Sequence, residues 1–268
     1  MTAGTGRPLE GVGVLVTRPA HQAAGLAKRV AGLGGIPILF PGLAIEPLAP
    51  PALDLSGVDI AIFVSPNAVD HAIAPLLAAG GLPAAARIAA VGSATASRVE
   101  ASGIRAPEAA PLLVPDAGFD SEALLERLPA ADVAGRRVLI FRGEGGRALL
   151  GEGLRSRGAR VEYVETYRRV RPQADLGELA RDWRQGRVGA TLATSAEIVA
   201  NLFAMAGAAA QLLRATPMFV SHPKVAAAAF RQGVQSLMVA GNGDEALAAG
   251  LATWFGRLRP EPASQPRA

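Results

Sequence analysis

"RIAAVGSATASRVEASGI", residues 87–104, opens with an apolar run, halts at Gly92-Ser93-Ala94-Thr95 and continues as a helix. An apolar run without alternation suits a strand buried on both faces. The small residues after it allow the free N–H groups of a helix start to approach a ligand closely. The same pattern recurs on either side. "GVGVLVTRP" (11–19) leads into "HQAAGLAKRVAGLGG" (21–35), and "DIAIFVS" (59–65) leads into a helix from Asn67. "DSEALLERL" (120–128) reads as a further helix with Asp120 or Ser121 as its N-cap. "IPILFPGLAIEPLAPP" (36–51) starts as a strand and breaks into a Pro-rich connection. Strand and helix alternate, which predicts an α/β fold with a parallel sheet.

The chain repeats this plan. "GRRVLIFRGEGGRALLGEGLRSRGARVEY" (135–163) matches the opening strand and helix, placing Arg142 on Arg18. "ATLATSAEIVANLF" (190–203) matches "IAIFVSPNAVDHAI", placing Ser195 on Ser65, and "PMFVSHPKVAAAAFRQGV" (217–234) matches the first quoted stretch, placing Val220 on Val91. The three spacings are nearly equal and in the same order, so an α/β unit is duplicated. The repeat alone predicts a tandem split near residue 130. Each copy offers strand ends followed by helix N-termini, whose unpaired N–H groups and partial positive charge suit anions. Two copies facing each other would surround one large anion, bound beyond the carboxyl ends of the strands.

Composition narrows the classes. A chain of 268 residues with 50% hydrophobic content is long enough for two domains, and 4% aromatic residues predict an aliphatic core. The net charge of +4 is modest, and no Lys/Arg block exceeds a pair, so nucleic acid is not expected as a partner. Only Lys28 and Lys224 are lysines; the arginine excess suits carboxylates but also follows from coding bias. Zero cysteines exclude disulfides, thiolate metal sites and a cysteine nucleophile, and fit a reducing compartment. Residues 1–10 lack a signal-peptide pattern and no apolar run approaches a membrane span, so a cytoplasmic protein without a membrane partner is expected.

Several chemistries compete. "GEGGRA" (143–148) satisfies a G-x-G-x-x-A dinucleotide fingerprint with Glu162 or Glu165 as ribose acid, although the matched turn "TRPAHQAAG" has no such glycines. His21, His71 and His222 lie far apart, so no metal site is expected; His21 and His71 read as surface helix residues, and His222, in the second copy of the turn, as a ligand candidate. Ser65, Ser93 and Ser195 lack the setting of a nucleophile and read as caps. In the strand-like "EYVETYRRVRP" (162–172), alternation puts Tyr163 and Tyr167, the only tyrosines, on one face, as packing rings or as a phenol beside a cleft.

"VLVTRP", "FVSPNAV", "AAVGSATA", "GRRVLIFRGEGGRALLGEGLRSRGARV" followed by "TY", and "ATSAEIVANL", in this order, resemble the uroporphyrinogen-III synthase family from about Val12 to Trp254. The resemblance implies a cofactor-free lyase of heme and tetrapyrrole biosynthesis that converts hydroxymethylbilane to uroporphyrinogen III, inverting ring D with loss of water. It implies two flavodoxin-like parallel-sheet domains joined by a two-stranded β connector. The expected divisions are 1–43 with 172–256 as a discontinuous first domain, 50–164 as the second, 44–49 and 165–171 as linkers, and 257–268 as a disordered tail.

The resemblance also implies a site. Ser65, Asn67, Ser93, Ala94 and Thr95 bind substrate from one domain and Ser195, Ala196, His222 and Lys224 from the other, with Arg18 and Arg142 at matched strand ends. The segment after Gly158 aligns Tyr167 with the family's tyrosine, implying a proton donor. The chain departs from the family at "SHPKVA", where Lys224-Val225 replace an expected Thr-Ala. The partner implied is hydroxymethylbilane, supplied through a transient encounter with hydroxymethylbilane synthase to a monomer. A non-catalytic tetrapyrrole or anion sensor and a nucleotide-binding oxidoreductase stay open as alternatives.

Overall fold

The structure, a computed structural model, describes residues 7–49, 52–104, 111–116, 120–174 and 176–258. In chain order the elements are β1 (Gly13–Val16), α1 (Ala20–Gly32), β2 (Ile36–Leu39), β3 (Ala44–Pro47), β4 (Ile60–Phe63), α2 (Pro66–Ala78), β5 (Arg87–Ala90) and α3 (Ser93–Ser102). They continue as α4 (Ser121–Glu126), α5 (Ala130–Val133), β6 (Arg137–Gly143), α6 (Leu149–Ser156), β7 (Arg160–Val170) and α7 (Ala180–Arg184). The last are β8 (Ala190–Ala193), α8 (Ala196–Ala206), α9 (Ala210–Ala215), β9 (Met218–Val220), α10 (Pro223–Arg231), β10 (Leu237–Val239) and α11 (Asp244–Leu258).

These fall into two units, one made of the chain up to Ala44 with the chain from Val170, the other of Ile45–Arg169. The first unit's sheet runs β10-β9-β8-β1-β2, and every pairing in it is parallel. Numbered within the unit this is the 2-1-3-4-5 winding of a flavodoxin-like sheet. The second sheet runs β3-β7-β6-β4-β5, parallel from β7 to β5. The chain passes between units along β3 and at the end of β7, hydrogen-bonded neighbours tied further by Leu48 N–H donating to Thr166 C=O (2.9 Å) and by an Arg168–Glu46 ion pair (2.8 Å). The stretches expected as linkers therefore hold β3 and the end of β7. At the other end, α11 runs through Leu258, and the rest of the expected tail, 259–268, lies outside the described residues.

The repeat is realised strand for strand, but out of phase with the units. The row β9-β8-β1-β2 in one sheet has the same order as β5-β4-β6-β7 in the other. Each sheet thus combines one half of each repeat, and the tandem split near about residue 130 that the repeat alone predicts is not where the chain divides.

The cores are aliphatic layers on both faces of each sheet, formed because β1, β4 and β8 bury every residue. One stretch departs from the sequence reading. Residues 196–215 are long and apolar enough, by length and composition, to cross a membrane. They are interrupted at Gly207 (φ 47°), and Ile198, Val199, Leu202, Met205 and Leu213 are core residues of the first unit, so the apolarity is that of a packed helix pair.

Candidate functional site

The winding of the second unit reverses between β4 and β6, and in such sheets the crevice lies just beyond the strand ends at that point. Ser65 follows β4, Arg142 and Gly143 close β6, and β7 brings Tyr167 alongside. All four line one cavity of about 360 Å³, together with Ser121, Arg147, Arg169 and the other tyrosine, Tyr163. A larger apolar cavity, about 710 Å³, beside Leu53 and His71 touches none of the candidate residues.

Tyr167 reaches this cavity by a slip in the sheet. Pairing between β6 and β7 is regular up to Arg142 with Glu165, then Gly143 pairs with Tyr167, skipping Thr166. This bulge reverses the alternation. Tyr163 packs with Leu150 and Leu154 on the α6 side, whereas Tyr167 joins Val164, Phe63 and Phe141 in the core under α2. The expectation that both tyrosines share one face is therefore wrong, because counting residues in twos does not see the skipped one.

The two phenols are also used differently. Tyr163 donates to the Ala148 carbonyl (3.2 Å) and its ring lies under the Arg142 guanidinium (4.0 Å), a packing role. Tyr167 is 6% exposed, and its hydroxyl stands 3.1 Å from Ser65 Oγ. Glycine makes room for each ring: a Cβ at Gly151 would come within 2.0 Å of the Tyr163 oxygen, and one at Gly143 within 2.7 Å of Tyr167 Cζ.

The helix starts behave as caps, with individual differences. Ser65 accepts from Ala68 N–H at the head of α2, with Asn67 in the first turn, and Ser195 accepts from Ile198 N–H at the head of α8, both at 3.1 Å, with Ala196 exposed beside it. His222 Nδ1 accepts from Lys224 N–H (3.1 Å), and Lys224 is exposed. Ser93, expected as a cap, is instead the first residue of α3: the cap position falls one residue earlier on Gly92, which has no side chain to bond, leaving the exposed Ser93 and Ala94 at the head. Thr95 is 4% exposed, so little of its side chain is open to a ligand.

Both candidate arginines already hold carboxylates. Arg142 binds Glu165 (2.8 Å) and the Gly146 carbonyl (3.0 Å), while Arg18 binds Asp244 (2.5 Å) at the head of α11. In the "GEGGRA" turn, Glu165 also accepts from Gly145 N–H (3.3 Å), and Glu162 is bound by Arg137 (2.8 Å), so both candidate ribose acids are engaged within the unit. Sequence reasoning missed Ser121, Arg147, Arg169 and Gly143 as cavity-lining residues. In the sequence Ser121 reads only as a cap and Gly143 only as part of the fingerprint.

Residues 24–247 match the family described as Uroporphyrinogen-III synthase HemD. The Salmonella typhimurium uroporphyrinogen-III synthase is 34% identical over 244 residues, covering 86% of this chain and 96% of that one. The chain belongs to the uroporphyrinogen-III synthase family. The Escherichia coli uroporphyrinogen-III synthase is 32% identical over 200 residues, covering 72% and 79%. Solved structures share the fold of this synthase-family chain: a uroporphyrinogen-III synthetase from Helicobacter pylori (TM-score 0.60, 16% identity, covering 92% and 99%) and a mutant uroporphyrinogen III synthase from Thermus thermophilus (TM-score 0.56, 23% identity, covering 92% and 98%). Membership makes it an enzyme of tetrapyrrole and heme biosynthesis, of the lyase class.

Proposed function

We propose that this family member closes hydroxymethylbilane into uroporphyrinogen III with inversion of ring D, and that Tyr167 is the proton donor to the departing hydroxyl. The observation that carries the donor assignment is the Tyr167 hydroxyl at the wall of the second unit's cavity, beside the head of α2. Loss of the hydroxyl as water leaves an azafulvene cation, and acid assistance to such a step is commonly worth about 10²–10⁴-fold. Attack by the substituted carbon of ring D gives a spiro intermediate, which fragments and recloses with the ring turned. The proton released on reclosure restores the phenol.

The substrate's carboxylates are taken, in this reading, by the helix heads at Ser65, Asn67, Ser93, Ala94 and Thr95 in one unit and Ser195, Ala196, His222 and Lys224 in the other. Uncapped N–H groups and helix dipoles bind carboxylates without a strongly basic surface, which fits the modest net charge of +4. Arg18 and Arg142 stand at the matched strand ends, each already holding a carboxylate of its own unit, Asp244 and Glu165, so they contact substrate less than the helix heads do. Folding the linear chain matters as much as acid catalysis, because unassisted closure yields the uninverted isomer. The reading includes a cytoplasmic monomer that receives its labile substrate from hydroxymethylbilane synthase, with neither nucleic acid nor membrane as partner. Freshly prepared hydroxymethylbilane tests it: isomer III as the product of the purified protein supports the proposal, and only isomer I, at the rate seen without protein, ends it.

A further inference from the structure

We infer that the Ser65 hydroxyl is a positioning group that aims the Tyr167 proton into the cavity, while any carboxylate taken at this helix head meets its backbone N–H groups and not that side chain. This rests on Tyr167 being the proton donor. A serine hydroxyl has one proton and two acceptor sites. One acceptor site of Ser65 is committed to Ala68 N–H, and the Tyr167 hydroxyl stands 3.1 Å away. That contact runs in one of two senses. If the phenol donated to Ser65, its proton would be tied to the serine and withheld from a leaving hydroxyl. If Ser65 donates, the phenol oxygen accepts and its own proton turns toward the cavity that both residues line.

The second sense also serves the product of the transfer. A phenolate formed at Tyr167 keeps the serine O–H as donor, and a hydrogen bond to a charged oxygen is stronger than one to a neutral one. It lies at the N-terminal end of α2, thirteen residues long, where negative charge is favoured. The geometry is held from both sides. Ser65 is fixed in extended backbone (φ −162°, ψ 160°) by its cap and by Pro66 at the first helical position. Behind the phenol, Gly143 is so close that a Cβ there would lie 3.0 Å from the hydroxyl oxygen. Ser195, the matched cap, makes the same bond to its helix, yet of the two capping serines only Ser65 is bonded to a phenol.

The test is steady-state kinetics with hydroxymethylbilane on Ser65→Ala, Ser65→Thr and Ser65→Asp, each also made in a Tyr167→Phe background. Ser65→Ala is expected to lower kcat about tenfold or more with KM changed less than about threefold, because an interaction made through the donor is lost. Ser65→Thr keeps the donor and restores kcat to within about threefold. Ser65→Asp keeps the cap but can only accept, so its kcat stays as low as that of Ser65→Ala. In the Tyr167→Phe background Ser65→Ala causes no further fall. A rise in KM at unchanged kcat, recovery in Ser65→Asp, or a Ser65→Ala loss that multiplies with an impaired Tyr167→Phe would each overturn the inference while leaving the donor assignment standing. Near-normal turnover of Tyr167→Phe by itself would overturn both.

Discussion

The heads of α2 and α8 are the same structure twice, and they differ in what stands beside them. Ser65 and Ser195 cap with the same 3.1 Å bond and near-identical backbone, φ −162° and ψ 160° against φ −149° and ψ 156°. Next to the first, β7 runs from Arg160 to Val170 and slips register to deliver a phenol; its counterpart β2 ends at Leu39, and the chain beyond it brings Phe40 and the buried Leu43. The matched arginines differ in the same way, Arg142 pairing across to β7 and Arg18 to the head of α11. Duplication supplies amide-rich turns in both units, while the phenol proposed above as proton donor belongs to one.

The strongest way to break this contrast is Tyr167→Phe. It is expected to lower kcat for hydroxymethylbilane by about 10²–10⁴-fold, measured as isomer III formed per enzyme. Near-normal turnover would make the two units equivalent and leave positioning to do all the work. Gly143→Ala sharpens the contrast, because the added carbon falls 2.7 Å from Tyr167 Cζ and must move the ring. Displacement of a catalytic group by about 1 Å can cost about 10²-fold, and overpacking of this kind typically costs about 1–3 kcal/mol. Thermal melting and kcat should therefore both fall; an unchanged kcat with a lowered melting temperature would mean that the position of the phenol does not matter.

The smallest expected effect is acid sensitivity of the second unit. Its Asp59 carboxyl is held below the usual range chiefly by the Arg137 backbone N–H, Glu162 by the Arg137 side chain, and Asp54 by the Ser56 hydroxyl. Lowered values mean that this stabilisation is complete above the unfolded pKa, about 4, and is lost as pH falls through the folded values. These groups are largely solvated, so the change is modest. Both tyrosines lie in this unit, and both tryptophans, Trp183 and Trp254, in the other. Between about pH 5 and pH 2 the near-ultraviolet tyrosine signal should decay before tryptophan emission shifts. Coincident curves would show that the two units lose structure together and that this carboxylate set does not weaken the second one first.

The sheets were legible because β1, β4, β5 and β8 are short apolar runs closed by small residues, a pattern with a local cause. The caps at Ser65 and Ser195 were legible for the same reason, a serine before a helix start bonding three residues ahead, whereas at Ser93 the helix starts one residue earlier than the pattern suggests. Distant partners were not. Nothing near Arg18 announces Asp244, since the pair is made only when the first and last helices of that unit pack. The burial of Thr95 was not legible either, because α3 is so rich in alanine and serine that its buried face cannot be told from its exposed one. Tyr167 was placed on the wrong face because a register slip is a property of two strands, and its own strand carries no mark of it.

The out-of-phase repeat bears on the order in which the molecule is made. Strands β4 to β7 are contiguous, so their sheet has all its material once the ribosome has passed Val170. β1 is translated first, yet one edge, Val14–Val16, pairs with Ala190–Leu192, far downstream. Until then an apolar edge lacks its partner, the kind of exposed surface that invites aggregation during synthesis. The lobe started first is thus the last to be completed.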